Sequence, residues 1–106
     1  MLIALLLVQA AASLESAAAD YRTCVLATAR KWSGGADSAE TIAVGARAHC
    51  GDREQRMRTM ALGSADPSLT AQQMVQWRRG VEQLNDAYVE GVRRKAVAAV
   101  LEARAR

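Results

Sequence analysis

Apolar residues recur every three or four positions along most of this chain, and no segment alternates apolar and polar residues as a strand would. After residue 19 the spacing predicts three helical segments. The first, about 20–33, gathers Tyr21, Cys24, Val25, Thr28 and Trp32 on one face, and Ser33-Gly34-Gly35 ends it. The second, about 38–62, opens with Asp37 as cap and Glu40 three positions on, a capping-box spacing, and continues through Ile42, Ala46 and Cys50. Gly51 interrupts that stripe, and the turn from Asp52 to Arg56 carries no apolar residue. A break is therefore expected near residue 51, with Asp52 capping a restarted helix that bears Met57, Met60 and Leu62. Gly63-Ser64-Ala65-Asp66-Pro67-Ser68 is the clearest loop. Beyond it, Thr70 and Gln73 form a second capping-box pair, and Met74, Trp77, Val81, Leu84, Tyr88 and Val92 mark a strong stripe that fades into Ala96, Ala99 and Ala103. The predicted fold class is all-α: a small three-helix domain, an antiparallel hairpin followed by one long helix at about 68–105.

That last helix creates a mismatch of lengths. At 1.5 Å per residue it spans on the order of 55 Å, whereas the first spans on the order of 20 Å. Two short helices cannot cover it, so its C-terminal third is expected to fray, to pack on a second copy or to engage a partner. A continuation of the first helix through the N-terminal residues would fill the same space.

Those N-terminal residues have a pattern of their own. Met1-Leu-Ile-Ala-Leu-Leu-Leu-Val8-Gln-Ala-Ala-Ala12 is an apolar run passing into small residues, the pattern of an export signal. The uncharged run from Leu2 to Leu14 is 13 residues, short of the roughly 20 that a membrane-spanning helix needs. Ala17-Ala18-Ala19 favours cleavage after Ala19, with Ala10 and Ala12 as alternative points. A secretory signal ordinarily opens with Lys or Arg, and no side chain is basic before Arg22, which points to a start further upstream. Tyr21-Arg22-Thr23 before Cys24 does not fit the run that precedes a lipidated cysteine. The competing expectation is a buried N-terminal helix of a cytosolic protein.

Composition then limits what the remaining 87 residues, Asp20–Arg106, can build. The chain is 51% hydrophobic, but 23 of those residues are alanine and there is no phenylalanine. Alanine favours helix while burying little surface, so one domain with a thin core is expected. The formal charge of +3 is too small to argue for nucleic acid.

Export would place Cys24 and Cys50 where they can pair. Cys24 lies nine residues before Ser33 and Cys50 twelve after Ser38, about 14 and 18 Å along two antiparallel axes, a mismatch of less than one helical turn. A bridge is expected, and by chain entropy it contributes roughly 3–4 kcal/mol. With no Cys-x-x-Cys and no flanking proline, the sequence does not point to thiol exchange.

The pattern offers no catalytic apparatus and no cofactor site. His49 is the only histidine, which excludes a two-imidazole metal site within one chain. A soft-metal site of His49, Met57 and Met60 is outweighed by the use of methionine as core filler. Asp37, Asp52 and Asp66 stand at helix starts, where capping explains them.

Leu69-Thr70-Ala71-Gln72-Gln73, at the entrance of the long helix, resembles the Leu-Thr-x-x-Gln motif of periplasmic helical chaperones and metal-stress sensors. The resemblance covers five residues. Those proteins are longer and usually carry the motif twice. It implies a helical binder that holds unfolded or partner protein on an apolar face. The expected partner-binding face is Trp77, Val81, Leu84 and Tyr88, for a protein partner or a second copy. Arg93, Arg94 and Lys95 are candidate contacts for an anionic membrane surface. The sequence expectation is thus a non-enzymatic binding or structural protein of the cell envelope, without nucleic-acid or small-molecule ligand.

Overall fold

A computed structural model of the chain describes the backbone of residues 2–106 and the side chains of residues 13–106. Among these residues every regular element is helical: α1 (Leu2–Trp32), α2 (Ala39–His49), α3 (Gly51–Gly63) and α4 (Ala71–Ala105). The cysteines are joined, with Cα atoms 6.1 Å apart, as expected from their similar distances to the turn.

The contacts give a simple topology. Cys24 of α1 is bonded to Cys50, and Asp20 meets Arg56 of α3, so α2 and α3 together run antiparallel to α1. Tyr88 meets Ala18 and Arg104 meets Ser33, so α4 runs parallel to α1. The expected second helix is therefore two, and the bundle is up-down-up with its middle layer broken at Cys50.

The break has a local cause. The Cys50 N–H bonds back to Ala46 and Arg47, closing α2, while its carbonyl accepts from Arg53 and Glu54, opening α3. Cys50, not Asp52, is the N-cap residue of α3, and its side chain makes no capping bond. At the start of α2 the cap is Ser38 rather than Asp37. Ser38 sits in the extended region at φ −64°, ψ 155°, and its Oγ accepts from the Thr41 N–H. The expected partner Glu40 turns instead to Arg93.

The last helix begins at Ala71, three residues later than the stripe suggested, because Asp66 forms a local turn through the Ser68 N–H at 2.9 Å. Thr70 and Gln73 do form the capping box, with bonds of 3.0 and 3.2 Å.

The core runs through Ala17, Tyr21, Val25 and Ala29 of α1, Ile42, Ala43 and Ala46 of α2, Met57 of α3, and Val89, Val92, Ala96 and Val100 of α4. Alanine at so many contacts lets the helices approach closely. Trp32, expected on the buried face, is 38% exposed and meets the His49 ring edge-on, with centroids 5.4 Å apart.

The expectation for α4 is reversed. Its C-terminal third is held in the bundle by Ala96, Ala99 and Val100, and by Arg104, which donates to the carbonyls of Ser33, Gly35 and Asp37 beyond α1. The N-terminal half carries no fully buried residue. The cause is register. The parallel pairing with α1 brings the C-terminal end of α4 to the α1–α2 turn, where all three layers meet.

Candidate functional site

Two surfaces merit attention, one along α4 and one around the disulfide. Of the expected partner-binding residues, Trp77 and Val81 are half-buried and Leu84 is 74% exposed, with Val75 also exposed nearby. Tyr88 is different in kind. Its hydroxyl donates to the Ala18 carbonyl at 2.8 Å, and its ring packs at a tilt against Tyr21. Leu14, Ala17 and Ala18 join the same apolar cluster as Met57, Met60, Tyr88 and Val89. Leu14, Ala17 and Ala18 are thus part of the bundle's core, and Ala18 is tied to α4 through Tyr88. The apolar run Leu2–Val8 and the alternative cleavage points at Ala10 and Ala12 fall where side chains are outside the described residues.

Tyr21 is the largest fully buried side chain, and burial, with the nearby Glu54 charge, pushes its phenol up to about 12. Glu54 itself is held below the usual carboxylate range, first by its hydrogen bond from Arg47 and then by Arg58. The ion pairs Arg47–Glu54, Glu54–Arg58 and Arg58–Asp86 link α2, α3 and α4 around this part of the core.

The basic cluster of α4 is less free than its sequence suggested. Arg93 is bound by Glu90 on its own helix and by Glu40 of α2, and its pKa is raised accordingly. Those bonds also pull Glu90 down to about 2. Arg94 reaches Glu90 at 3.5 Å, while Lys95 is exposed and shows no carboxylate partner among the described residues. No helix among the described residues is long and apolar enough to cross a membrane.

The second surface is an open groove of about 570 Å³ on the α1–α3 side, lined by Asp20, Thr23, Cys24, Ala27, Thr28, His49, Arg53 and Arg56. Arg53 Nη1 lies 3.5 Å from Cys24 Sγ, and Thr28 Oγ1 lies 3.8 Å from Cys50 Sγ. Cys50 is fully buried and does not line the groove, whereas Cys24 is half-buried and does. Sequence reading placed Thr28 on the face of Cys24 but gave neither it nor Arg53 a role at a site. The signal was present: Thr28 follows Cys24 by four residues and Arg53 follows Cys50 by three, spacings that place each on its cysteine's helix face.

His49 lies against Trp32 at the surface and Met57 is enclosed in the core, so these residues form no common site. Among the described residues no group of His, Cys, Asp and Glu side chains is placed to hold a metal ion.

These features define an all-α, disulfide-linked helical bundle. Comparison with protein-family models, with curated proteins and with solved structures gave no match to the chain.

Proposed function

We propose that the chain is exported to the periplasm, is cut after Ala19, and then serves as a small, non-enzymatic helical binding protein of the envelope. The binding site is the groove on α3 and α4 that residues 14–18 fill in the uncut chain. One observation carries this reading: Leu14, Ala17 and Ala18 belong to the apolar cluster that includes Met57, Met60, Tyr88 and Val89, Ala18 accepts from the Tyr88 hydroxyl, and their segment has the sequence of a removable leader. Removal would leave the Tyr88 hydroxyl without its Ala18 acceptor and would expose a groove adjoining Trp77, Val81 and Leu84 on the same helix.

The occupant follows from what sits there now. A helix rich in alanine and leucine, contributed by an apolar segment of a partner protein, matches the groove as residues 14–18 do. A contiguous exposed apolar surface of this kind is a recognised mark of a protein-binding site. Membrane attachment through the basic cluster draws less support, since Arg93 is already committed to two carboxylates.

The test has two parts. Protein expressed with its own leader and recovered from the periplasm should have an intact mass starting at Asp20. A peptide of residues 2–19 added in trans should then bind it, quenching or shifting Trp77 fluorescence, and Tyr88→Ala should weaken that binding. An uncut chain, or a cut chain indifferent to the peptide, would refute the proposal.

A further inference from the structure

The disulfide is not placed as a purely structural bridge would be. A staple is best protected when neither sulfur can be reached, yet here one of the two lines an open groove and the other does not. The accessible sulfur, Cys24 Sγ, has the Arg53 guanidinium 3.5 Å away. Arg53 has no carboxylate partner among the ion pairs of the described residues, while its neighbour Arg56 is turned to Asp20 at 3.4 Å. The hidden sulfur, Cys50 Sγ, has the Thr28 hydroxyl at 3.8 Å and belongs to the N-cap residue of α3. A cation beside a thiolate and a helix N-terminus beside a thiolate both lower its energy relative to the thiol. The two sulfurs are thus differentiated in access: Cys24 Sγ is the reachable one with a cation beside it, whereas Cys50 Sγ is enclosed in the core with the Thr28 hydroxyl as its polar neighbour.

We propose that Cys24–Cys50 is an exchangeable redox pair, in which Cys24 Sγ is the sulfur attacked by a thiolate from a cysteine-bearing peptide segment seated in the groove. In the first step the incoming thiolate forms a bond to Cys24 Sγ and the Cys24–Cys50 bond breaks. The electron pair passes to Cys50 Sγ, whose thiolate forms next to the Thr28 hydroxyl. In the second step another thiolate of the same partner attacks the partner's own sulfur in the mixed disulfide, and Cys24 leaves as a thiolate beside Arg53. The partner dithiol is oxidised to a disulfide by two electrons, the protein is reduced by two, and the two protons of the dithiol end on Cys24 and Cys50. Run in reverse, the reduced pair reduces a partner disulfide, with Cys24 as nucleophile. The groove volume, about 570 Å³, lies within the usual range for small-ligand sites, and Arg53 favours an acidic neighbour to the reacting cysteine.

The inference does not rest on export or on binding at α4, because every residue it uses lies after residue 19 and the chemistry can be followed on the uncut chain. The oxidised full-length protein is exposed to dithiothreitol without denaturant, and free thiols are counted by maleimide mass shift while helix content is followed by circular dichroism. Reduction with helix content retained is expected. Reduction only when denaturant unfolds the chain would overturn the proposal. The reduced protein is then alkylated across a pH series. Cys24 should react with a midpoint below the ordinary thiol value of about 8.5, and Arg53→Ala should raise that midpoint and slow alkylation at neutral pH by roughly tenfold, with Arg53→Lys restoring it. Equal midpoints in all three proteins would remove Arg53 from the mechanism and refute it. Cys50→Ser, checked for retained helix, should accumulate a mixed disulfide with glutathione at Cys24. Should that variant unfold, the same adduct sought on the wild-type chain in a glutathione redox buffer decides the point, and its absence counts against exchange.

Discussion

Replacing Met57 with alanine tests whether α3 is held by packing or by its connections. Only Met57 and Ala61 of this helix are buried, and Met57 is 1% exposed, so its side chain is the main apolar contact of the whole element. Loss of the three heavy atoms beyond Cβ removes their transfer free energy and leaves a cavity in the core, a cost of about 3 kcal/mol within the usual 2–5 for such truncations. The alternative anchors are weaker. The pairs Arg47–Glu54, Glu54–Arg58 and Arg58–Asp86 are each partly solvated, and such pairs contribute about 1 kcal/mol or less. In a domain whose total stability is on the order of 5–10 kcal/mol, loss of Met57 is a large fraction. Urea unfolding followed by circular dichroism should show a fall in midpoint with unchanged slope, and a thermal midpoint lower by about 12 °C, at about 4 °C per kcal/mol. Met57→Leu should cost less than about 1.5 kcal/mol, because it conserves volume. Leu62→Ala, at a side chain 37% exposed, should cost clearly less than Met57→Ala. A Met57→Ala cost below about 1 kcal/mol would refute the packing argument and leave the Cys50 turn and the ion pairs as what holds α3.

The Tyr21 phenol has a folded pKa of about 12 against an ordinary 10, so the native state keeps a proton that the unfolded chain loses. Stability should be intact below pH 10, then fall by up to about 3 kcal/mol as pH approaches 12, and Tyr21→Phe should abolish this fall in urea titrations. Glu54 has the opposite sign: its lowered pKa contributes stability above the ordinary carboxylate range, which is lost as pH falls through the native value. Glu54→Gln should therefore flatten the acid limb of the stability profile. Arg104→Ala removes the donor to the Ser33, Gly35 and Asp37 carbonyls and should cost about 1–2 kcal/mol, with faster amide exchange confined to the α1–α2 loop and the last turn of α4.

Helix count and connectivity were largely legible in the sequence because helical spacing, two capping sequences and the Gly-rich turn agree with one another. The disulfide was legible because Cys24 and Cys50 lie at similar distances from the turn of an antiparallel hairpin. What failed was the choice of buried face where alanine competes with larger residues. Weighting by size selects Tyr21, Cys24, Val25, Thr28 and Trp32, whereas the buried line is Ala17, Tyr21, Val25 and Ala29. On α4 the same weighting selects Met74, Trp77, Val81, Leu84, Tyr88 and Val92, of which only Val92 is buried, while Val89, Ala96, Ala99 and Val100 make the other tight contacts. Close approach of helices is decided by the smallest side chains, which carry little hydropathy signal. The caps failed more narrowly. Asp37 and Ser38 are both good capping residues, and only the backbone angles at Ser38 choose between them. The groove was legible only in part: helical spacing gives Thr28 and Arg53, but which sulfur faces outward depends on how α3 leaves Cys50.

The disulfide and residues 14–18 bear on each other. α1 is 31 residues long, and Ala17, Tyr21, Val25 and Ala29 fix it between residues 17 and 29. Cleavage after Ala19 would leave only 20–32, a length at which isolated helices are marginal in water. Such a helix must be held by its contacts: the bond to Cys50, Tyr21 in the core, and the Asp20–Arg56 pair, whose partners are both more than half exposed. Closure of the loop between the cysteines, 26 positions apart, contributes about 3.5 kcal/mol on the chain-entropy model in either form. The contacts of Leu14, Ala17 and Ala18 support α1 in the uncut form alone. Reduction should therefore lower the urea midpoint of both forms while melting α1 below that midpoint only in the cut one, a difference that amide exchange at residues 21–29 would resolve. Equal protection of those amides in the reduced cut and uncut chains would show that residues 14–18 contribute nothing to holding α1. It would also remove the physical basis for treating their place on α3 and α4 as a binding groove.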